Sequence, residues 1–327
     1  MVTQINPALA RLWIAENARQ YGYRNGALVT SLTEPQQRLL DYFELGLTSS
    51  QHASLSKIAK VPETESANLE ERLKNVLWHS PTGISKADLD SRFAEIARIL
   101  LQGDDPQEVL KLRKSKSVFI EKLDSTGLTI AKALSLAGIG KQLSMDQVRV
   151  TGQDISQLGY NKGQLGLPRV KAAQTLVGSE LQMHSRISAS FDFVSVAVLI
   201  TTDIVNPASY QTWQARDIPH FSILFDEQGV EVSALVEPGK TSCLACYERH
   251  RLVNEAHWPV IAPQLLALDR NLSDSALVLF ASGVAVNQIL NFLDQGQSEP
   301  QATRLNRNGE ISSFLPPALS CGCQSEQ

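Results

Sequence analysis

The four cysteines of this chain constrain its fold more than any other feature. Cys243-Leu244-Ala245-Cys246 is a CxxC and Cys321-Gly322-Cys323 a CxC, with 74 residues between them and no cysteine left over. Zinc favours a tetrahedral shell, and four thiolates close that shell, leaving no position for a catalytic water. Two close pairs each supply two ligands from a tight knuckle, so one ion joins distant segments. Gly239 before the first pair and Gly322 inside the second permit the backbone that knuckles need. Two disulfides, which a cytosolic chain disfavours, or a redox CxxC are the alternatives. The ligand number and spacing favour structural Zn2+ on Cys243, Cys246, Cys321 and Cys323. His250 and His257 flank the first knuckle and read as packing or surface residues rather than ligands.

Composition sets the frame for that site. A chain of 327 residues suggests two domains, and 43% hydrophobic content supports real cores. Thirty Lys+Arg against 34 Asp+Glu give a net charge of -4, so no overall basic field attracts nucleic acid or an anionic membrane. The opening Met1-Val2-Thr3-Gln4-Ile5-Asn6-Pro7 lacks a basic region followed by an apolar run, so a cytoplasmic protein is expected. Residues 276–293 are apolar enough to raise the membrane question. Asn287, Gln288 and Asn291 interrupt them, which favours a buried core helix.

Residues 1–80 read as a small unit of strands followed by helices. Asn25-Gly26 suggests a two-residue hairpin turn between residues 21–23 and 27–32. Thr33 and Gln36 form a capping-box pattern ahead of the apolar stripe Leu39, Leu40 and Phe43. A second helix is expected over 50–59. A third, over 63–78, places Leu69, Leu73, Val76 and Leu77 on one face. Hairpin plus three short helices is the layout of a winged helix-turn-helix. The third helix carries Glu63, Glu65, Glu70 and Glu71 against Arg72 and Lys74, which is wrong for a helix entering a groove of phosphates. Peptide binding is the alternative, because an open strand edge beside a helix accepts an extended chain. The receiving edge would be Ala27, Leu28, Val29, Thr30 and Ser31, with Leu69, Arg72 and Leu73 from the helix.

His79 to Gly83 is a break, Leu89, Phe93, Ile96 and Leu100 fit helical spacing, and residues 81–112 are expected to be a helical linker. Residues 113–327 alternate strands and helices. Strands are expected at 117–120, 142–145, 194–201 and 221–224, helices at 127–137 and after Asn206-Pro207, and a hairpin around Asn308-Gly309. That rhythm predicts an α/β fold with a doubly wound, Rossmann-like sheet.

A doubly wound domain with two C-terminal cysteine pairs resembles the ThiF/MoeB adenylating superfamily. The stretch Pro238-Gly239-Lys240-Thr241-Ser242-Cys243-Leu244-Ala245-Cys246, then His250-Arg251, Trp258-Pro259 and Gln264-Leu265, is similar to one branch. That branch is the ThiF-like, leader-peptide-binding proteins of thiazole/oxazole-modified microcin (TOMM) biosynthesis. Asn6-Pro7-Ala8-Leu9, Leu12-Trp13 and Leu39-Leu40-Asp41 resemble its peptide-recognition winged helix. The resemblance implies capture of a precursor leader as an added strand and docking of a YcaO-type cyclodehydratase. A homodimer, as the superfamily often forms, and assembly only with the partner enzyme both stay open.

An adenylating domain needs a GxGxxG turn after its first strand, so that backbone amides reach the phosphates. Lys122-Leu123-Asp124-Ser125-Thr126-Gly127 keeps only the last glycine, and Asp124 would put a carboxylate where polyphosphate should lie. By resemblance, Asp146 matches the ribose acid, Asp203 the acid near magnesium and Arg169 a phosphate-side base. Each acid also fits a polar strand end in any α/β fold. With Gly127 they outline a vestigial nucleotide site, so ATP binding is not expected and no catalytic residue is assigned. A divergent adenylyltransferase is the alternative function.

Overall fold

A computed structural model describes residues 1–24, 26–81, 83–84, 86–178, 181–183, 193–296, 300–317 and 321–323, with only the backbone for 86–91 and 183. The chain separates into two compact units, Met1–Lys111 and Leu112–Gln327.

In the first unit, β1 (Val2–Ile5) is followed by β2 (Arg11–Ala15), β3 (Ala18–Tyr21) and β4 (Ala27–Val29), which form one antiparallel sheet in that order. Tyr21 pairs with Ala27, so the β3–β4 loop spans residues 22–26 rather than two residues. Gly22 supplies the positive φ there, and Asn25 lies outside the described residues. Helix α1 (Glu34–Leu45) carries the expected box: Gln36 N donates to Thr33 Oγ1, and Thr33 N to Gln36 Oε1. Leu39, Leu40 and Phe43 are fully buried. β5 (Leu47–Thr48) follows. The single helix expected over 50–59 is two short ones, α2 (Ser49–Ala53) and α3 (Leu55–Ala59), divided at Ser54.

Helix α4 (Glu63–Leu73) is shorter than expected, because residues 77–80 form β6 (Leu77–Ser80) instead. β6 pairs with β1, and Trp78 and Ser80 turn inward while His79 faces out, a period of two that no helix offers. The second sheet runs β5-β1-β6. Helix α5 (Lys86–Gln102) packs Ile96 and Leu100 on Trp78, whereas Phe93 is exposed. Thr82, inside the expected break, lies outside the described residues. Helix α6 (Pro106–Ser115) leads out of the first unit.

The second unit contains β7 (Ser117–Ile120), α7 (Ser125–Leu136), β8 (Lys141–Ser144), α8 (Arg169–Val177), β9 (Leu181–Met183) and β10 (Val196–Thr202). Then come α9 (Pro207–Gln214), β11 (His220–Phe225), β12 (Gly229–Val232), α10 (Leu244–Asn254), α11 (Trp258–Leu266), α12 (Ser275–Gln295), β13 (Ala302–Asn306) and β14 (Ile311–Phe314). Among the described residues, eight strands form one sheet in the order β14-β13-β12-β11-β10-β7-β8-β9. The run from β9 to β11 is parallel and the remaining strands are antiparallel, so the sheet is mixed. Strand order reverses between β7 and β10. In open α/β sheets the crevice at the carboxyl ends of such strands is where ligands bind.

The central strands are buried on both faces, which is why β10 reads Val-Ala-Val-Leu-Ile without alternation. Helix α12 is long and apolar enough to cross a membrane by length and composition. Here it packs on α7 and β12, and Leu277, Ala281, Ala285 and Ile289 lie in the sheet's core. Asp274 caps it, accepting from Ala276 N and Leu277 N.

Candidate metal centre and nucleotide crevice

The four cysteine sulfurs converge. Cys243 Sγ lies 3.9 Å from Cys246 Sγ and 3.8 Å from Cys321 Sγ; Cys246 Sγ lies 3.1 Å from Cys321 and 3.6 Å from Cys323. All four fall within 4.8 Å of one another, and none forms a disulfide. A tetrahedral zinc with bonds of about 2.3 Å has sulfur–sulfur edges of about 3.8 Å; three of these four separations lie close to that value and the Cys246–Cys321 one is shorter, so the donor set is compatible with a metal ion of that kind. Cys243 stands at the N-cap of α10, and Gly322, at φ 73°, makes the turn between the other two. Burial pushes the Cys243 thiol up to about 11 and the Cys246 thiol higher still. A cation bound there would take the thiolates and displace those protons. The cluster packs on Phe119, Tyr210 and Trp213. His250 instead faces Asn254 on its own helix, outside the sulfur cluster.

The crevice between β7 and β10 encloses about 350 Å³ and is lined in part by Lys122, Asp124, Asp146, Arg169, Thr202 and Arg270. Its anion-binding features are engaged from within the chain. Asp124 caps α7, accepting from Thr126 N at 3.0 Å and Gly127 N at 3.1 Å. These are amides of the first helical turn, which a phosphate would otherwise take. Burial raises the Asp124 pKa, against the backbone donors and the charges of Lys122 and Arg169. A Cβ on Gly127 would stand 1.8 Å from the Lys122 carbonyl oxygen, so this glycine is required by close approach.

Asp146 accepts from Leu123 N at 2.7 Å and Val148 N at 3.0 Å. Arg169 donates to Asp154 at 2.6 Å and lies 3.6 Å from Asp146. Asp203 has φ 67°, a left-handed conformation uncommon outside glycine. Both its carboxylate oxygens accept from Arg270, at 2.9 and 2.5 Å, and Arg270 also meets Glu227 at 2.9 Å. Asp146 and Arg169 therefore line the crevice, Gly127 lies behind its helix terminus, and Asp203 reaches it through Arg270. Sequence reasoning missed Arg270 and Asp154. Asp154 sits in a short turn at residues 152–154, and Arg270 follows α11 in a loop; neither has a periodic signal.

In the first unit β4 is an edge strand, and α4 packs against it. Leu28, Thr30, Ser31 and Arg72 are exposed, whereas Ala27, Val29, Leu69 and Leu73 belong to the core. At the other edge Trp13 is exposed and stacks 4.1 Å over the guanidinium of Arg19.

No protein-family model matches the sequence, and no curated protein matches it. Solved structures do. Escherichia coli MccB with AMPCPP and MccA superposes with TM-score 0.73 at 13% identity, covering 99% of this chain and 100% of that one. This chain is similar to MccB in fold. MccB with ATP gives TM-score 0.72 at 12% identity over 99% and 100% of the two chains. PaaA gives 0.60 at 13% over 82% and 97%. The likeness to MccB covers both units. At this level of identity the likeness carries the fold alone.

Proposed function

We propose that this protein is a non-catalytic scaffold that binds the leader of a ribosomally made precursor peptide. It presents that peptide to a YcaO-type, ATP-dependent cyclodehydratase forming thiazol(in)e or oxazol(in)e rings. The winged-helix reading of residues 1–80 belongs to this proposal, with the leader added as a strand on Ala27–Val29 beside α4. The observation that carries it is the crevice: its helix amides are taken by Asp124, and its guanidinium groups by Asp154 and Asp203. An adenylating enzyme needs those groups for polyphosphate. Peptide capture is supported by MccB, whose structures include complexes with MccA. In this role the four cysteines would hold structural Zn2+, and Cys243, Cys246, Cys321 and Cys323 are its proposed ligands.

The full-length chain, its YcaO-type partner, precursor peptide and ATP make the test. Ring formation, read as loss of one water per ring, should require this chain and fall with Leu28→Glu at the exposed receiving edge. Rings formed at full rate without the chain would reject the scaffold role. One observation favours a second reading, a divergent adenylyltransferase: the likeness to MccB bound to ATP spans nearly the whole of both chains. Leader-dependent ATP–pyrophosphate exchange by this chain alone, abolished by Asp203→Ala, would establish that reading instead.

A further inference from the structure

The first unit has a second open edge, on its other sheet. β6 pairs with β1 on one side only among the described residues. Residues 75–79 line a groove of about 830 Å³ together with Ala8–Ala10, residues 22–24 and residues 100–103. A strand paired on one side leaves alternate N–H and C=O groups free to join another chain. Asn6 fixes the floor: its Nδ2 donates to Leu100 O at 2.8 Å, and its Oδ1 accepts from Ala8 N at 2.9 Å. Tyr23 and Leu101 are 70% and 61% exposed at the rim, which leaves apolar contact area for a partner.

Charge decides what that partner is. Among the described residues no aspartate or glutamate lines the groove, although the chain carries four more acids than bases. Its charged or chargeable lining is Arg24 and His79. Arg24 rests over the Tyr23 ring at 5.4 Å, and no acid among the described residues pairs with it. The β4 edge has the opposite character, because α4 beside it carries Glu63, Glu65, Glu70 and Glu71. An acidic segment is repelled there and accepted at β6.

We propose that the β6 groove binds an acidic, extended segment of the leader peptide, added as a strand on residues 77–79 with a carboxylate on Arg24. The proposal rests on the peptide-binding reading of the first unit, and divides the leader between two edges of opposite charge.

The test uses the full chain and two fluorescein-labelled nonapeptides of alternating valine and threonine, one with two glutamates and one with two lysines in place of threonine. Anisotropy should show the glutamate probe binding, and Arg24→Glu weakening it about tenfold, as loss of a rim charge pair plus like-charge repulsion requires. Leu101→Glu should weaken it too, while Leu28→Glu at the β4 edge changes its Kd by less than about twofold. All three positions are exposed, and unchanged melting temperatures establish that the variants fold. Equal affinity of the two probes for the unaltered chain, or no effect of Arg24→Glu, overturns the proposal. Weakening by Leu28→Glu alone overturns it as well, by placing the acidic peptide on β4, and leaves peptide capture by this unit standing.

Discussion

A glycine-rich turn leaves the first amides of its helix open to phosphate, whereas Asp124 occupies them with its own carboxylate. Two effects oppose each other there: capping stabilises α7, and burial resists ionisation. Because the folded pKa lies above the unfolded one, the contribution of this ionisable group is fully present below about pH 4. It is lost as pH rises through the folded value. Asp124→Asn keeps a capping oxygen without the charge, and should match or exceed the parent in stability at pH 7, with the difference shrinking toward pH 4. Asp124→Ala loses the cap and should cost about 1 kcal/mol. Urea melts at the two pH values check both; an asparagine variant weaker than the alanine one would refute the capping account. His220 shows the reverse sign. It is fully buried in β11, its Nδ1 faces Ile218 O, its Nε2 has no hydrogen-bond partner among the described residues, and burial lowers its pKa. Its contribution is fully present above about pH 6.5 and lost as pH falls toward the folded value. Stability should therefore decline below pH 6.5, and less so in His220→Phe, measured by thermal melts across pH 5–8.

The elements differ in how much of them the sequence displays. β7 and α9 follow from continuous apolar runs and from Asn206-Pro207, whose asparagine caps the helix by accepting from Ala208 N. Thr33 and Gln36 mark the start of α1 for the same local reason. β6 was hidden because its four residues continue the apolar spacing of α4, and only the neighbouring β1 decides between helix and strand. β12 was hidden too: Gly229 begins it, and its place between β11 and β13 is a long-range choice. In the crevice, Asp124 and the missing glycines were legible as chemistry, but Arg270 was not. Its pairing with Asp203 joins residues 67 apart through loop geometry alone. The same long-range logic ties α6 to α12. Arg113 donates to Asp294 at 2.9 and 2.6 Å and to Ala137 O at 2.9 Å, with both charged side chains almost wholly buried. Arg113→Ala should cost about 3–5 kcal/mol, since it strands a buried carboxylate. The double variant Arg113→Met, Asp294→Leu should cost much less, because the desolvation of both charges disappears with them. Equal losses in the two, by urea denaturation, would show that the contact is not electrostatic.

At the scale of the whole molecule, the second unit has two separate sources of order. Its main core lies along the sheet under α7 and α12, while the cysteine cluster gathers a smaller group around Phe119, Tyr210 and Trp213. The ion would join residues 243–246, at the start of α10, to 321–323, segments that bracket α11, α12 and the β13–β14 hairpin. Metal binding adds to folding free energy wherever the unfolded chain lacks the site, so its removal must lower stability. The sheet core contains none of the four ligands, so removal should loosen the knuckles without unfolding the unit. The expectation is one zinc per chain by elemental analysis, lost in Cys246→Ser, whose sulfur is fully buried. That variant, or the parent stripped by a chelator, should keep its far-ultraviolet circular dichroism at 25 °C. It should melt several degrees lower and be cleaved by protease first near residues 321–323. A metal-free chain with the same melting temperature and protease pattern would show that the four sulfurs meet without an ion.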